Sequence, residues 1–328
     1  MKYLIIDTAN TFFRAKHVAS RQSDAEEKVA FAIHLTLSSI AKAWKLHNAD
    51  HVVFALEGRS WRKEFYQPYK ANRAVARAAQ TESEQEEDRL FFEGLGNLQQ
   101  YIVEKTNCTV LQNSILEADD LIAGWIQTHP NDSHTIVSSD SDFYQLIANN
   151  VDQYNGITDE LITLSGFINA ANNKPVIDKK TKLPKLLADP EWILFEKCMR
   201  GDPTDNVFSA YPGVRTKGTK NKVGLQEAFA DRNTKGFNWN NLQLQRWADH
   251  NGEEHRVLDD YNRNVTLVDL TAQPPEIKKV IRETIANAAV TKIIPQCGVY
   301  FLKFCGKHAL VKLSDNASTF SKIVSAAY

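Results

Sequence analysis

Nine carboxylates stand where a soluble fold gains little from them. Asp7, Glu57, Asp140 and Asp142 each follow a short apolar run. Glu117, Asp119 and Asp120 crowd together in "SILEADDLIAGW", residues 114–125, directly before an apolar helical stretch, and Asp202 and Asp205 sit three apart in "GDPTDNV". No histidine or cysteine stands among these acids. An all-oxygen donor set is hard and selects Mg²⁺ or Mn²⁺ over Zn²⁺, and nine acids exceed what one octahedral ion that keeps its waters requires. Two ions are the natural count. Held about 4 Å apart, two ions can deprotonate a water and stabilise both oxygens of an in-line phosphoryl displacement, which points to phosphodiester hydrolysis.

Each acid also has a plain structural reading. Ser114 or Asp119 could cap a helix, acids near a helix N-terminus meet its macrodipole, and a lone strand-end Asp is usually a turn residue. One or two acids would satisfy those needs at residues 114–120. Three adjacent anions raise one another's pKa values and repel, so the joint placement across distant segments carries the weight.

The elements that must position these acids read as α/β. "KYLIID" (2–7), "HVVFALEG" (51–58) and "HTIVSSDSDF" (134–143) are short apolar runs rich in Ile and Val, separated by helical stretches, which implies βαβ units and a parallel sheet. In such sheets ligands gather beyond the carboxyl ends of the strands, so the acids are expected to share one crevice. Asp140 and Asp142 are expected on one side of their strand by its two-residue alternation. From about residue 190 the pattern turns helical, beginning with "DPEWILFEKCMRG", after a polar, lysine-rich connection over 169–190. "AYPGVRTKGTKNKVGLQEAF" reads as a helix, a glycine-bearing hairpin and another helix. There is no internal repeat. Two domains follow, 1–190 and 191–328.

Cations form two groups. Residues 58–80 hold Arg59, Arg62, Lys63, Lys70, Arg73 and Arg77 among Trp61, Phe65, Tyr66 and Tyr69. Such a surface can neutralise phosphates and stack bases of a single strand, or it can be a solvated basic helix with its aromatics turned inward. "TESEQEEDR" (81–89) reads as an exposed helix face. Arg215, Lys217, Lys220 and Lys222 lie in the hairpin, where backbone N–H groups and lysines could meet a phosphate strand without reading sequence, or form a lysine-rich loop.

Composition sets the outer bounds. The chain has 328 residues, 43% hydrophobic and 24% charged, enough for a substantial core in two lobes. Its net charge of −1 assigns any nucleic-acid contact to local patches. Cys108, Cys198, Cys297 and Cys305 are too scattered for a metal knuckle and suit reduced core thiols. No apolar run of about 18 residues and no leader pattern appears, so no membrane partner and a cytoplasmic location are expected. Absence of a heptad run makes a monomer the expectation.

In order along nearly the whole chain, "LIIDTAN", "SWRKEFYQPYKANR", "LEADDLIA", "IVSSDSDFYQL", "MRGDPTDNV" and "YNRNVTLVDL" resemble the flap endonuclease and 5′-to-3′ exonuclease superfamily, most closely its T-even phage ribonuclease H branch. The resemblance implies a PIN-like nuclease domain with an arch or clamp near residues 59–90 and a helical lobe carrying a duplex-binding helix-three-turn-helix. It implies a first ion on Asp7, Glu57, Glu117, Asp119 and Asp120, and a second on Asp140, Asp142, Asp202 and Asp205. Lys70 and Arg73 match arch residues that engage the scissile phosphate, and Tyr69 falls where an aromatic stacks on terminal bases. The implied substrates are DNA and RNA/DNA duplexes with 5′ ends or flaps, met in RNA-primer removal during phage replication, with proteins such as a single-strand-binding protein as candidate partners in the host cytoplasm.

Two departures qualify this. Glu57 stands where relatives commonly carry Asp, so its longer reach could act through water. The hairpin lacks the compact glycine-hydrophobic-glycine turn of many relatives, which leaves a K⁺ site there open. A haloacid-dehalogenase-type phosphatase would share an Asp-x-Asp and a Gly-Asp loop, but would want that pair on the first strand, where Asp7 stands alone. A non-catalytic DNA-binding scaffold would have no need of the full acidic set.

Overall fold

A computed structural model describes residues 1–19 and 24–328, in two compact units. The first comprises 1–60, 80–187 and 276–328, and the second 61–79 and 188–275.

The first unit is built on an eight-stranded sheet: β1 (Lys2–Asp7), β2 (His51–Ala55), β3 (Thr109–Leu111), β4 (Ser133–Val137), β5 (Val151–Asn155), β6 (Glu160–Thr163), β7 (Gly166–Asn169) and β8 (Lys174–Pro175). Its order is β3-β2-β1-β4-β5-β6-β7-β8, with β1 to β5 parallel and the last three antiparallel. β1 and β2 are buried almost throughout, as continuous apolar runs demand when both faces of a parallel sheet are covered. The chain moves from β1 outward to β2 and β3, then returns to place β4 on the other side of β1. That reversal opens a topological switch point between the carboxyl ends of β1 and β4.

The first unit's helices are α1 (Thr8–Ala19) and α2 (Ala25–His47) and, beyond the segment belonging to the second unit, a long helix over Glu82–Lys105, another over Ala118–Thr128 and the C-terminal set. Asp24 caps α2 by accepting from the Glu27 N–H at 3.3 Å, and Asn48 closes it in the left-handed region at φ 45°. The main core packs Leu4, Ile6, Phe12, Ile33, Leu37 and Phe54 with Phe91, Leu95 and Leu98.

The second unit contributes α3 (Arg62–Phe65) and α4 (Asn72–Ala78), so the Glu82–Lys105 helix is α5 and the Ala118–Thr128 helix is α6. It continues with α7 (Pro190–Arg200), α8 (Leu225–Ala230), α9 (Phe237–Gln243), the antiparallel pair β9 (Arg246–Ala248) and β10 (Glu254–Arg256), and α10 (Val257–Val268). Asp189 caps α7, with Pro190 at its first position. Phe195, Met199, Ala210, Leu225, Ala228, Leu242 and Val257 form its core.

These units divide the chain elsewhere than at the expected 190/191. After α10 the chain returns to the first unit as α11 (Pro275–Ala288), α12 (Cys297–Lys307), α13 (Val311–Ser314) and α14 (Ala317–Ser325). Phe301, Phe304, Leu313, Phe320 and Ile323 join the main core, and the Asn107 N–H donates to the Val324 carbonyl at 2.8 Å. His51, wholly buried, lies 2.8 Å from the Thr109 hydroxyl and 3.0 Å from the Ala326 carbonyl, and burial pushes its pKa down to about 4. All four cysteines are buried and free.

Three local expectations change as well. The basic segment forms two short helices, α3 and α4, instead of one. No helix lies between α7 and α8, so the expected helix before the hairpin is replaced by turns over 201–224. The connection over 169–190 is partly sheet, through β8 and a bridge from Ile177 to Pro184.

Gly58 marks the tightest approach near the carboxyl end of β2. A Cβ there would lie 2.0 Å from the Asn113 carbonyl oxygen and 2.6 Å from that of Leu116, while the Gly58 N–H donates to Leu116 at 3.0 Å. Both obstacles are backbone and cannot swing aside. Gly58→Ala should therefore lower stability by about 1–3 kcal/mol in denaturant melts; an unchanged midpoint would mean the 113–116 loop yields freely.

Candidate active site

The carboxyl ends of β1, β2 and β4 collect the acids of the first unit. Asp7 is the last residue of β1 and 5% exposed. Its Oδ2 accepts from the Ser138 hydroxyl at 2.9 Å and its Oδ1 from the Asn10 N–H at 3.2 Å. Burial is the main cause that raises its pKa, to about 7, with the charges of Glu57 and Asp140 adding and the hydrogen bonds from Ser138 and Asn10 opposing. Asp7 thus sits close enough to its neighbours to feel them, across the switch point.

Glu57 follows β2, and its Oε2 accepts from the Ala118 N–H at 3.1 Å, which ties it to the start of α6. Glu117 occupies the N-cap position of α6 and is 2% exposed, accepting from the Ser60 hydroxyl at 2.7 Å. Its own N–H donates to Asp120 Oδ2 at 3.3 Å. Asp120 is fully buried and Asp119 half-buried. Capping and crowding therefore coexist: Glu117 and Asp120 serve the helix end as a capping pair, with Asp119 between them.

Asp140 and Asp142 lie beyond β4, not on it. Asp140 starts the 3₁₀ turn Ser141–Leu146, with its Oδ1 accepting from the Asp142 N–H at 3.0 Å. Strand alternation, the expected reason for their common side, is replaced by this local turn. The turn is anchored by residues that the sequence reading passed over. Ser138 Oγ accepts from the Asp140 N–H at 3.1 Å, Asn10 Oδ1 accepts from both the N–H (3.1 Å) and the hydroxyl (2.8 Å) of Ser139, and Gln153 donates to the carbonyls of Ser138 and Asp140 at 2.9 and 2.8 Å. Asn10 stands within "LIIDTAN" and Ser138 within "SSD", so each neighbours an acid already singled out. Ser60 and Gln153 carried no comparable signal.

In the second unit, Asp202 and Asp205 flank a turn closed by the pairing of Asp202 with Val207, and their carboxylates approach within 4.8 Å. Burial alone would raise the Asp202 carboxyl; the Lys197 ammonium at 2.8 Å and two hydrogen bonds from Thr204 outweigh it and hold the pKa below the usual range. Asp205 accepts from the Tyr69 hydroxyl at 3.1 Å and pairs with Arg73 at 2.7 Å and Lys70 at 3.5 Å. Lys70 takes the left-handed backbone at φ 55°, its N–H donating to the Asp205 carbonyl at 2.8 Å.

The basic surface is thinner than expected. Arg62 is 1% exposed, and its Nε donates to the Leu267 carbonyl at 2.8 Å. Tyr69 is 4% exposed in a cluster with Cys198, Val207, Leu267 and Val268. Both, expected at nucleic-acid contacts, are enclosed by protein in this structure. Arg59, Lys63, Arg73 and Arg77 remain exposed, as do Arg215, Lys217, Lys220 and Lys222. The hairpin that bears the last four is fixed by Glu227, whose Oε2 accepts from the N–H groups of Gly218 (2.9 Å) and Gly224 (3.0 Å). A Cβ on Gly224 would lie 2.4 Å from the Gly218 nitrogen.

Residues 2–177 match the profile of the 5′-3′ exonuclease N-terminal resolvase-like domain. The chain is 31% identical over 188 residues to DNA polymerase I of Rhizobium leguminosarum, covering 56% of this chain and 15% of that protein. It is 26% identical over 232 residues to the flap endonuclease Xni of Shewanella piezotolerans, covering 70% of this chain and 77% of the relative. It thus spans only a small part of the polymerase and most of the flap endonuclease. Among solved structures, the bacteriophage T5 flap endonuclease in a pseudo-enzyme-product complex with DNA and metal ions superposes with a TM-score of 0.59 at 22% identity, covering 88% of this chain and 99% of that one. The T5 protein co-crystallised with metal ions gives 0.59 at 21% identity, over 88% and 100%. At such identities the T5 structures speak to the fold, a mostly parallel α/β sheet with a helical lobe, while the domain profile covers more than half of the sequence. The chain belongs to the flap endonuclease and 5′-3′ exonuclease superfamily.

Proposed function

We propose that this protein is a structure-specific 5′ nuclease that hydrolyses phosphodiesters in DNA and RNA/DNA duplexes bearing 5′ ends or flaps, using two Mg²⁺, with Mn²⁺ able to substitute. The observation that carries this reading is the convergence of Asp7, Glu57, Glu117, Asp119, Asp120, Asp140 and Asp142 around the ends of β1, β2 and β4 with no imidazole or thiolate among them. Such a hard, all-oxygen set fits divalent ions of the Mg²⁺ class. The "GDPTDN" pattern supports Asp202 and Asp205 as two further ligands. When bound, the ions supply charge to activate a water and to stabilise the leaving oxygen.

The chain's own groups have separate tasks in this reading. Ser138, Asn10 and Gln153 hold the acids in place, and Ser60 and the Ala118 N–H orient Glu117 and Glu57. Lys70 and Arg73 meet charge that develops at the scissile phosphate. Arg59, Lys63 and Arg77 attract the strand, and the exposed Arg215, Lys217, Lys220 and Lys222 engage duplex backbone. A monomeric phage replication enzyme that removes RNA primers beside a single-strand-binding protein is the setting that agrees with these parts.

Three outcomes are expected. Asp142→Asn should slow single-turnover cleavage of a labelled 5′-flap duplex at least about a hundredfold, with flap affinity nearly intact, since it removes ligand charge and spares the DNA-binding surface. Wild-type cleavage by this variant would remove Asp142 from the site. Lys70→Ala or Arg73→Ala should mainly slow chemistry, whereas neutralising Lys217, Lys220 and Lys222 together should weaken duplex binding and flatten the slope of log affinity against log salt by roughly 2 to 3. An unchanged slope would detach the hairpin from the phosphates.

The third concerns protons. With Asp7 raised to about 7 from an unfolded value near 3.8, the folded carboxyl holds a proton that the unfolded chain has given up between those pH values. In chelator, the stability due to this group is therefore present at low pH and lost as pH rises from 4 to 7, by at most about 1.4 kcal/mol per unit. Mg²⁺ binding should release a proton near pH 6 and none at pH 8. Calorimetric titrations in buffers of different ionisation heat read that number directly, and buffer-independent heats at pH 6 would show Asp7 already ionised.

A further inference from the structure

The β9–β10 hairpin of the second unit carries a group of different chemistry from the nine acids. One carboxylate oxygen from each of Asp249 and Glu253 and one ring nitrogen of His255 lie within 4.8 Å of one another. Asp249 is fixed as a turn former: its Oδ1 accepts from the N–H groups of Asn251 (2.8 Å) and Glu253 (2.9 Å), and Gly252 supplies the left-handed step at φ 83°. His255 is fixed as a strand residue, opposite Trp247 in the register and stacked on its indole at 4.4 Å and 13°. Those contacts explain why the hairpin folds, but they leave the juxtaposition of three donors unexplained.

A second, independent observation bears on it. Asp260, on the first turn of α10, is 93% buried by its 7% exposure, and its Oδ1 takes the Arg263 guanidinium at 2.5 Å. Its Oδ2 is buried with no hydrogen-bond partner and lies 3.2 Å from His255 Nδ1. A buried carboxylate oxygen without a donor is unfavourable, and a small ring rotation that lets Nδ1–H donate to it satisfies both groups. That hydrogen bond fixes the tautomer with Nε2 unprotonated. A carboxylate behind a histidine in this manner is the usual support for a metal-ligating imidazole, which it orients and makes more basic.

We propose that Asp249, Glu253 and His255 bind a borderline divalent transition-metal ion of the Zn²⁺ class, with Asp260 positioning His255. One imidazole and two carboxylates form a mixed N/O donor set, which suits Zn²⁺, Co²⁺ or Ni²⁺ and not the hard ions proposed for the acids at the sheet. Three protein ligands leave coordination positions to water. The ion clips a hairpin whose strands are three residues each, too short for independent stability. This site stands apart from the nuclease reading and survives its failure.

The test is Zn²⁺ binding by the full chain in excess Mg²⁺, which fills all-oxygen sites. Wild type should take up about one Zn²⁺ more than His255→Gln, and Co²⁺ substitution should show a visible band of imidazole coordination that this variant lacks. Asp260→Asn should weaken binding about 10- to 100-fold. Glu253 is exposed, so Glu253→Gln leaves folding undisturbed and decides the matter should His255→Gln fail to fold. Zn²⁺ should raise the melting temperature of wild type more than that of Glu253→Gln, by mass action. Equal Zn²⁺ uptake and equal thermal shifts in wild type and Glu253→Gln would overturn the site, as would a wild type that takes up no Zn²⁺ in excess Mg²⁺.

Discussion

The hydrogen bond from Ser138 to Asp7 joins the ends of β1 and β4 at the one place in the first unit where the sheet reverses its winding. The β1–β4 side of the site hangs from it. A buried carboxylate needs donors, and a parallel sheet offers few at its carboxyl ends, where strand carbonyls point outward. Ser138 resolves this by donating to Asp7 while accepting from the Asp140 N–H, so one hydroxyl fixes the spacing between two strands and starts the turn that carries Asp142. Asn10 and Gln153 grip the same turn from α1 and β5. Neutral donors thus hold Asp7 and the turn that begins at Asp140.

Much of this was legible because it obeys local rules. β1, β2 and β4 coincide with apolar runs that end in acid, and their placement in one parallel sheet follows from the helical spacing between them. The acids were found because their type is uneconomical where they stand. What escaped was set by partners remote in sequence. Arg62 looks like every other cation of residues 58–80, and its burial with a hydrogen bond to the Leu267 carbonyl, 205 positions on, makes it an anchor. Tyr69 reads as a stacking aromatic until Cys198, Val207 and Leu267 close around it. The return of α11 to α14 to the first unit leaves no mark in composition: Phe301, Phe304 and Phe320 would serve either core equally well.

The two units tolerate their acids by different means, and the difference bears on how each would answer a cation. In the first unit, burial and mutual repulsion raise Asp7 until a proton competes for it near neutrality. In the second, Lys197 holds Asp202, while Lys70, Arg73 and the Tyr69 hydroxyl hold Asp205. A proton on Asp7 is lost to solvent at no conformational cost. Lysine and arginine must instead swing their charges away, and they are long side chains whose heads then need another anion. A phosphate is such an anion. The pairing of Asp205 with Lys70 and Arg73 accordingly links the two kinds of ligand the second unit is proposed to meet: a cation that takes the carboxylate releases the guanidinium and the ammonium, and a phosphate that takes those heads bares the carboxylate. Each event lowers the cost of the other, which is positive coupling that needs no movement of the backbone.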